Sequence, residues 1–253
     1  MPLTWRISHS RACSDEREPP RHHFPPTRDV FVITLDLPSH ALRVVCVGAH
    51  PDDIEIGCGG ALLELVASRS LTGTWLVLSG TGQRADEAVS AAERFLPGAD
   101  VRFSGLRDGH LPAAWEATKE ALDALASEVH PDLIFAPRTD DSHQDHRLLG
   151  HLVTTAWRDT LVLHYEIPKW DGNLSPVTHY VQVSPELARR KVELLDKSFS
   201  SQVGRDWWDE ETFLGLMRLR GIECRSRYAE GFVVKKAVLG LGREARSIGQ
   251  PTT

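Results

Sequence analysis

The hexapeptide Gly48-Ala49-His50-Pro51-Asp52-Asp53 brings one imidazole and two carboxylates close together along the chain. His50 and Asp53 each offer a ligand atom suited to Zn²⁺ or a similar divalent ion. Asp52, between them, is left to handle protons. Pro and Asp are also favoured turn residues, so the same six residues are compatible with a plain turn. A second cluster runs Asp140-Asp141-Ser142-His143-Gln144-Asp145-His146. His143 and His146 are three apart, so at a helix start they share a side without having to bind the same atom. Ser142-x-x-Asp145 also matches a capping box, in which Asp145 only satisfies backbone N–H groups. Two such clusters together make a metal with three protein ligands and an open position for water the economical account.

Both clusters follow short apolar runs, Leu42–Val47 and Leu133–Ala136, which read as buried strands. Further strands are expected at Thr74–Leu78, Val101–Ser104, Leu161–Tyr165, His179–Val183 and Phe232–Val234, with an edge strand at Val30–Leu37. Helical periods fall at Gly59–Ser68, Ala85–Leu96, Ala113–Val129, Asp145–Trp157, Pro185–Phe199 and Asp209–Arg220. Alternation at this spacing predicts an α/β fold, a mostly parallel sheet with helices on both faces. In such sheets ligands bind beyond the carboxyl ends of the strands, which is where both clusters fall. Asp108, after Val101–Ser104, reads as a turn residue that also faces the site as a substrate contact.

Of 253 residues, 41% are hydrophobic and 25% charged, enough for a sizeable core. Residues 1–28, rich in Pro, Arg and His, read as a disordered leader, 29–240 as one domain and 241–253 as a flexible tail. A net charge of −6 gives no hint of a nucleic-acid partner. No apolar run reaches the roughly 18–20 residues of a membrane span. Four cysteines without a CxxC pair argue for a reducing, cytoplasmic setting and against a cysteine-built zinc site. A homo-oligomer is compatible with all of this.

His50-Pro51-Asp52-Asp53 with Gly57-Cys58-Gly59-Gly60, and His143-x-Asp145-His146, resemble the PIG-L/LmbE-type N-acetylglucosaminyl deacetylases. Weaker matches are Arg84-x-x-Glu87 and Tyr228-Ala229-Glu230-x-Phe232, so the likeness covers about residues 42–235. The resemblance implies a zinc-dependent amide hydrolase on a Rossmann-like sheet without a dinucleotide, acting on a small N-acetylated sugar, with Fe²⁺ as the alternative metal in the cell. It implies His50, Asp53 and His146 as metal ligands and Asp52 as general base. His143, protonated, would hold the oxyanion, Asp145 would orient or charge-tune His143, and Arg84 would hold the sugar or its anionic substituent. Where many members have Glu directly after the Asp pair, this chain has Ile54 and then Glu55.

Other functions compete on the same residues. The same machinery serves a different amide, such as a thiol conjugate, and a non-catalytic carbohydrate-binding module needs neither Asp52 nor His143. The Gly57–Gly60 run starts too far beyond the Val47 strand end to be a dinucleotide turn, and close helix packing explains it better. Arg84 has a plainer reading as a helix-start partner of Glu87. Cys58 reads as a small buried residue and His151 and His164 as structural. Trp170, Trp207 and Trp208 fit either a sugar cleft or a core. Aglycone specificity is expected in segments 107–116 and 165–180.

Overall fold

A computed structural model describes residues 34–37 and 40–239. The chain divides into two units between residues 38 and 39, and everything below concerns the second. In the first, residues 34–37 carry no helix or strand; the rest of the expected leader and edge strand, and the expected 241–253 tail, lie outside the described residues.

The elements are β1 (Leu42–Gly48), α1 (Asp53–Ser68), β2 (Leu71–Ser79), α2 (Gln83–Phe95), β3 (Asp100–Leu106), α3 (Trp115–Glu128), β4 (Leu133–Pro137), α4 (Gln144–Ala156), β5 (Leu161–Tyr165), β6 (His179–Val183), α5 (Pro185–Ser198), α6 (Glu210–Glu223) and β7 (Tyr228–Val233), with a short 3₁₀ turn at Leu111–Ala114. The strands form one sheet in the order β3-β2-β1-β4-β5-β7-β6. β1 to β5 pair in parallel, and β7 runs antiparallel to both β5 and β6. The chain works outward from β1 through β2 to β3, then returns to β4 on the other side of β1. The crevice between the ends of β1 and β4 is therefore the topological switch point, where ligands bind in such sheets.

Strand alternation sends side chains to two cores. Val45, Val47, Leu76, Leu78, Ile134, Ala136 and Val162 pack against Leu122 and Leu125 of α3 and Leu149, Leu152 and Val153 of α4. The opposite face carries α1, α2 and α5, which pack on one another. Each of the buried Val, Leu and Ile side chains among them contributes about 1.5–3 kcal/mol of transfer free energy.

α1 begins at Asp53, six residues before its expected start at Gly59, so the glycine run lies inside the helix. A Cβ on Gly57 would lie 2.1 Å from the Tyr165 ring, and one on Gly59 2.6 Å from Phe95. The glycines thus let α1 lie close against its neighbours. Cys58 has a non-helical φ of −141° and interrupts the helix. Two distant side chains serve the backbone groups beside that break. Gly60 and Ala61 donate to Glu230 at 2.7 and 2.8 Å, and Lys191 Nζ donates to Ile56 O at 2.6 Å while pairing with Glu230 Oε1 at 2.6 Å. The backbone accounting closes only through this buried ion pair.

Candidate metal centre

Pro51 ends the β1 loop, and Asp52, at the N-cap of α1, adopts φ 109° and ψ −23°. Asp tolerates this left-handed region better than most residues, at a cost of about 1–3 kcal/mol that surrounding contacts must offset. Arg84 supplies them: its Nη2 donates to Pro51 O at 2.5 Å and to Asp52 Oδ2 at 3.0 Å. The carboxylate of Asp53 is pinned from the other side, because Ala49 and His50 N–H both donate to its Oδ2 at 2.8 Å. Its Oδ1 is left for the crevice.

Beyond β4, His143 caps α4, and its Nδ1 accepts from the Asp145 N–H at 3.2 Å. The capping box expected from Ser142 does not form. An accepting Nδ1 leaves the proton of the neutral ring on Nε2. Burial, helped by the charges of His146 and His50, holds the His143 pKa below its usual value, so near neutral pH the ring is an uncharged N–H donor rather than the expected imidazolium. The Asp145 carboxylate does not touch this ring. It accepts from Gly109 N–H at 2.8 Å and Leu111 N–H at 3.0 Å, and lies 3.2 Å from His50 Nε2. Asp145 therefore orients His50, while its charge acts on His143 through space and raises that ring's pKa against burial.

Two imidazole nitrogens and the Asp53 carboxylate converge from the two strand ends. His50 Nδ1 lies 3.1 Å from His146 Nε2, His146 Nε2 lies 3.1 Å from Asp53 Oδ1, and His50 Nδ1 lies 3.4 Å from Asp53 Oδ2. Ligands about 2.0–2.1 Å from a tetrahedral zinc stand about 3.3 Å apart, so the spacing fits. The outer nitrogens face acceptors: His50 Nε2 has Asp145 at 3.2 Å and Asp108 Oδ1 at 3.1 Å, and His146 Nδ1 has Asp141 Oδ2 at 3.3 Å. Protons held there leave two bare nitrogens facing each other beside a carboxylate, an arrangement that calls for a cation. Without the ion the neighbouring carboxylates favour a second proton on both imidazoles, a positive charge that a metal would replace. Burial acts to lower His50, but Asp53 and the bonds to Asp108 and Asp145 outweigh it and push the pKa up to about 12. Burial opposes and the two histidines drive a fall of Asp53 well below the carboxylate range.

A wider grouping is also present. One ligand atom each from His50, His143 and His146 fall within 4.8 Å of one another, as do those of His50, Asp108 and Asp145. The second set uses the outer nitrogen of His50. The tighter triangle at 3.1–3.4 Å has the better geometry for one small ion.

Asp52 is buried, and burial, partly countered by Arg84, raises its pKa to about 7. Asp108 is two-thirds exposed but turned onto His50. Arg84 does not pair with Glu87, whose carboxylate binds Gln83, Ser200 and Ser201. Glu55 is 1% exposed with Oε1 unpartnered, and burial pushes its pKa well above the usual carboxylate range. Burial also holds Cys58 protonated. Trp208 is core, whereas Trp170 is 68% exposed and meets Trp207 edge-on at 6.2 Å. Sequence reasoning missed Asp141 and Lys169. Asp141 lies in a visible acidic run, but Lys169 carries no signal.

Residues 45–157 match the PIG-L family model, described as GlcNAc-PI de-N-acetylase. The matched segment holds both strand ends and all eight expected site residues. That segment is similar to the PIG-L family. The chain is similar in structure to a conserved protein of Thermus thermophilus, at 25% identity and a TM-score of 0.64, over 81% of this chain and 99% of that one. It also resembles the N,N'-diacetylchitobiose deacetylase of Pyrococcus horikoshii, at 22% identity and a TM-score of 0.59, over 76% and 83%. The 4-carboxy-2-hydroxymuconate hydratase of Pseudomonas putida shares the fold at 18% identity and a TM-score of 0.65, over 79% and 98%. Proteins of this fold thus carry more than one chemistry, and the site must decide the reaction.

Proposed function

We propose that this chain is a zinc-dependent hydrolase that removes an N-acetyl group from an N-acetylglucosamine-type amino sugar within a larger conjugate. The observation that carries it is the triangle of His50 Nδ1, His146 Nε2 and Asp53 with the buried Asp52 beside it. His50, Asp53 and His146 would hold Zn²⁺, with Fe²⁺ as the alternative in the cell. The bound ion supplies Lewis acidity, lowering the pKa of water toward about 7 and polarising the acetyl carbonyl.

The chain's own groups do the rest. Asp52 accepts a proton from the attacking water, and a pKa near 7 suits a base that must later return that proton to the leaving amine. Arg84 fixes the carboxylate, and Asp145 with Asp108 fixes the tautomer of His50. His143 Nε2–H donates to the oxygen that gains charge as the tetrahedral centre forms, a role a neutral imidazole can fill. Arg84 is partly exposed and Asp108 largely so, and they line the sugar's approach as well as holding their partners.

Residues 29–240 form the catalytic domain of this reading, with 1–28 and 241–253 dispensable, and the setting is cytoplasmic. No helix among the described residues is long and apolar enough to cross a membrane, and Cys46, Cys58 and Cys224 are free thiols. Metal-replete protein should release acetate from one or more conjugated N-acetylamino sugars, and chelation should stop it. Turnover without acetate, on an amide of another acid or by hydration of a double bond, would overturn the deacetylase reading.

A further inference from the structure

Asp141 is 2% exposed, two residues before the His143 cap, yet it belongs to neither strand nor helix. Its Oδ1 accepts the His143 N–H at 2.7 Å. Its Oδ2 is the carboxylate oxygen that faces the buried, otherwise unpartnered His146 Nδ1, at an ion-pair distance of 3.3 Å, and it accepts from Lys169 Nζ at 2.7 Å. Arg147 fastens the same stretch, donating from Nη1 to Asp141 O at 2.6 Å and Ser142 O at 2.9 Å. Lys169 comes from the segment joining β5 to β6, outside the family match, and also donates to Ile167 O at 3.2 Å.

We propose that Asp141 and Lys169 are the positioning pair of this centre: one carboxylate sets the proton on His146 Nδ1 and the backbone of His143, and Lys169 holds that carboxylate in place. The inference rests on the reading of His50, Asp53 and His146 as the ligands. Asp141 does for His146 what Asp145 and Asp108 do for His50, so each imidazole is locked with its bare nitrogen toward the same point. Without Lys169 the carboxylate would be a buried charge lacking its counter-ion, free to turn toward other donors.

Full-length Asp141→Asn keeps the shape but sets an amide donor or a weaker acceptor against His146 Nδ1–H. Competition against a chelator should show zinc held about 10–100-fold more weakly than in the wild type. In the zinc-loaded wild type, the His146 Nδ1–H proton should resonate far downfield and exchange slowly with water. In Asp141→Asn it should move upfield. Lys169→Met should weaken zinc binding in the wild-type background and change nothing in the Asp141→Asn background, because its effect runs through the carboxylate. Normal zinc affinity and an unmoved resonance in Asp141→Asn would overturn the proposal, as would a Lys169→Met effect of equal size in both backgrounds. If Asp141→Asn does not fold, a rapidly exchanging His146 Nδ1–H in the wild type contradicts the proposal by itself. A wild-type protein that binds no stoichiometric zinc would overturn the ligand reading, and this proposal with it.

Discussion

Arg84 Nη2 lies 3.0 Å from Asp52 Oδ2 and 2.5 Å from Pro51 O, so the arginine expected to meet the substrate also holds the base. Arg84 lowers the Asp52 pKa against the larger effect of burial, and the balance stands near 7. The base works ionised, so activity should fall as pH drops through the region of that pKa. Arg84→Met should raise the Asp52 pKa further and move the acid limb of the pH–rate profile to higher pH. The loss should appear mainly in kcat. A raised KM with kcat and profile unchanged would return Arg84 to substrate binding.

Asp52→Asn should keep its metal and lose about 10²–10⁴-fold in turnover, because an amide accepts no proton from the attacking water. Metal content by elemental analysis, measured beside the rate, checks both halves. Near-normal activity would remove Asp52 from the mechanism.

Gly57→Ala tests the packing that seats α1 below the crevice. Its Cβ would meet the Tyr165 ring at 2.1 Å, and that ring is tethered by its hydroxyl, which donates to Val47 O at 2.7 Å. Overpacking of this kind costs about 1–3 kcal/mol, and for a chain of this size the melting temperature should fall by on the order of 5 °C. An unchanged melting temperature would mean that Tyr165 moves freely.

The two strand ends were legible because His and Asp followed apolar runs that had no other use for them. Leu161–Tyr165 and His179–Val183 form strands with the expected bounds. The start of α1 was hidden: Gly57, Gly59 and Gly60 are poor helix formers, and their helix is completed by Glu230 and Lys191 from far along the chain. The strand β7 begins at Tyr228, four residues early, because Glu230 and Gly231 interrupt its apolar pattern. Asp145 is expected to orient or charge-tune its sequence neighbour His143; its charge does act on that ring, but its carboxylate reaches across the crevice to His50. Sequence proximity could not rank those two partners. Lys169 sits in a connection with no period at all, and only the fold brings it to Asp141.

The measurement that bears most directly on this account is zinc content of two single variants, followed as zinc is added. His146→Ala removes one of three proposed ligands and should lose the metal, with partial recovery of activity in excess zinc. His143→Ala should keep its metal and turn over about 10²–10³-fold more slowly, since its donor matters only as the oxyanion forms, and added zinc should not restore it. Equal loss of metal from both would mean four protein ligands and no separate oxyanion donor. Metal retained by both would place the centre elsewhere and contradict the account.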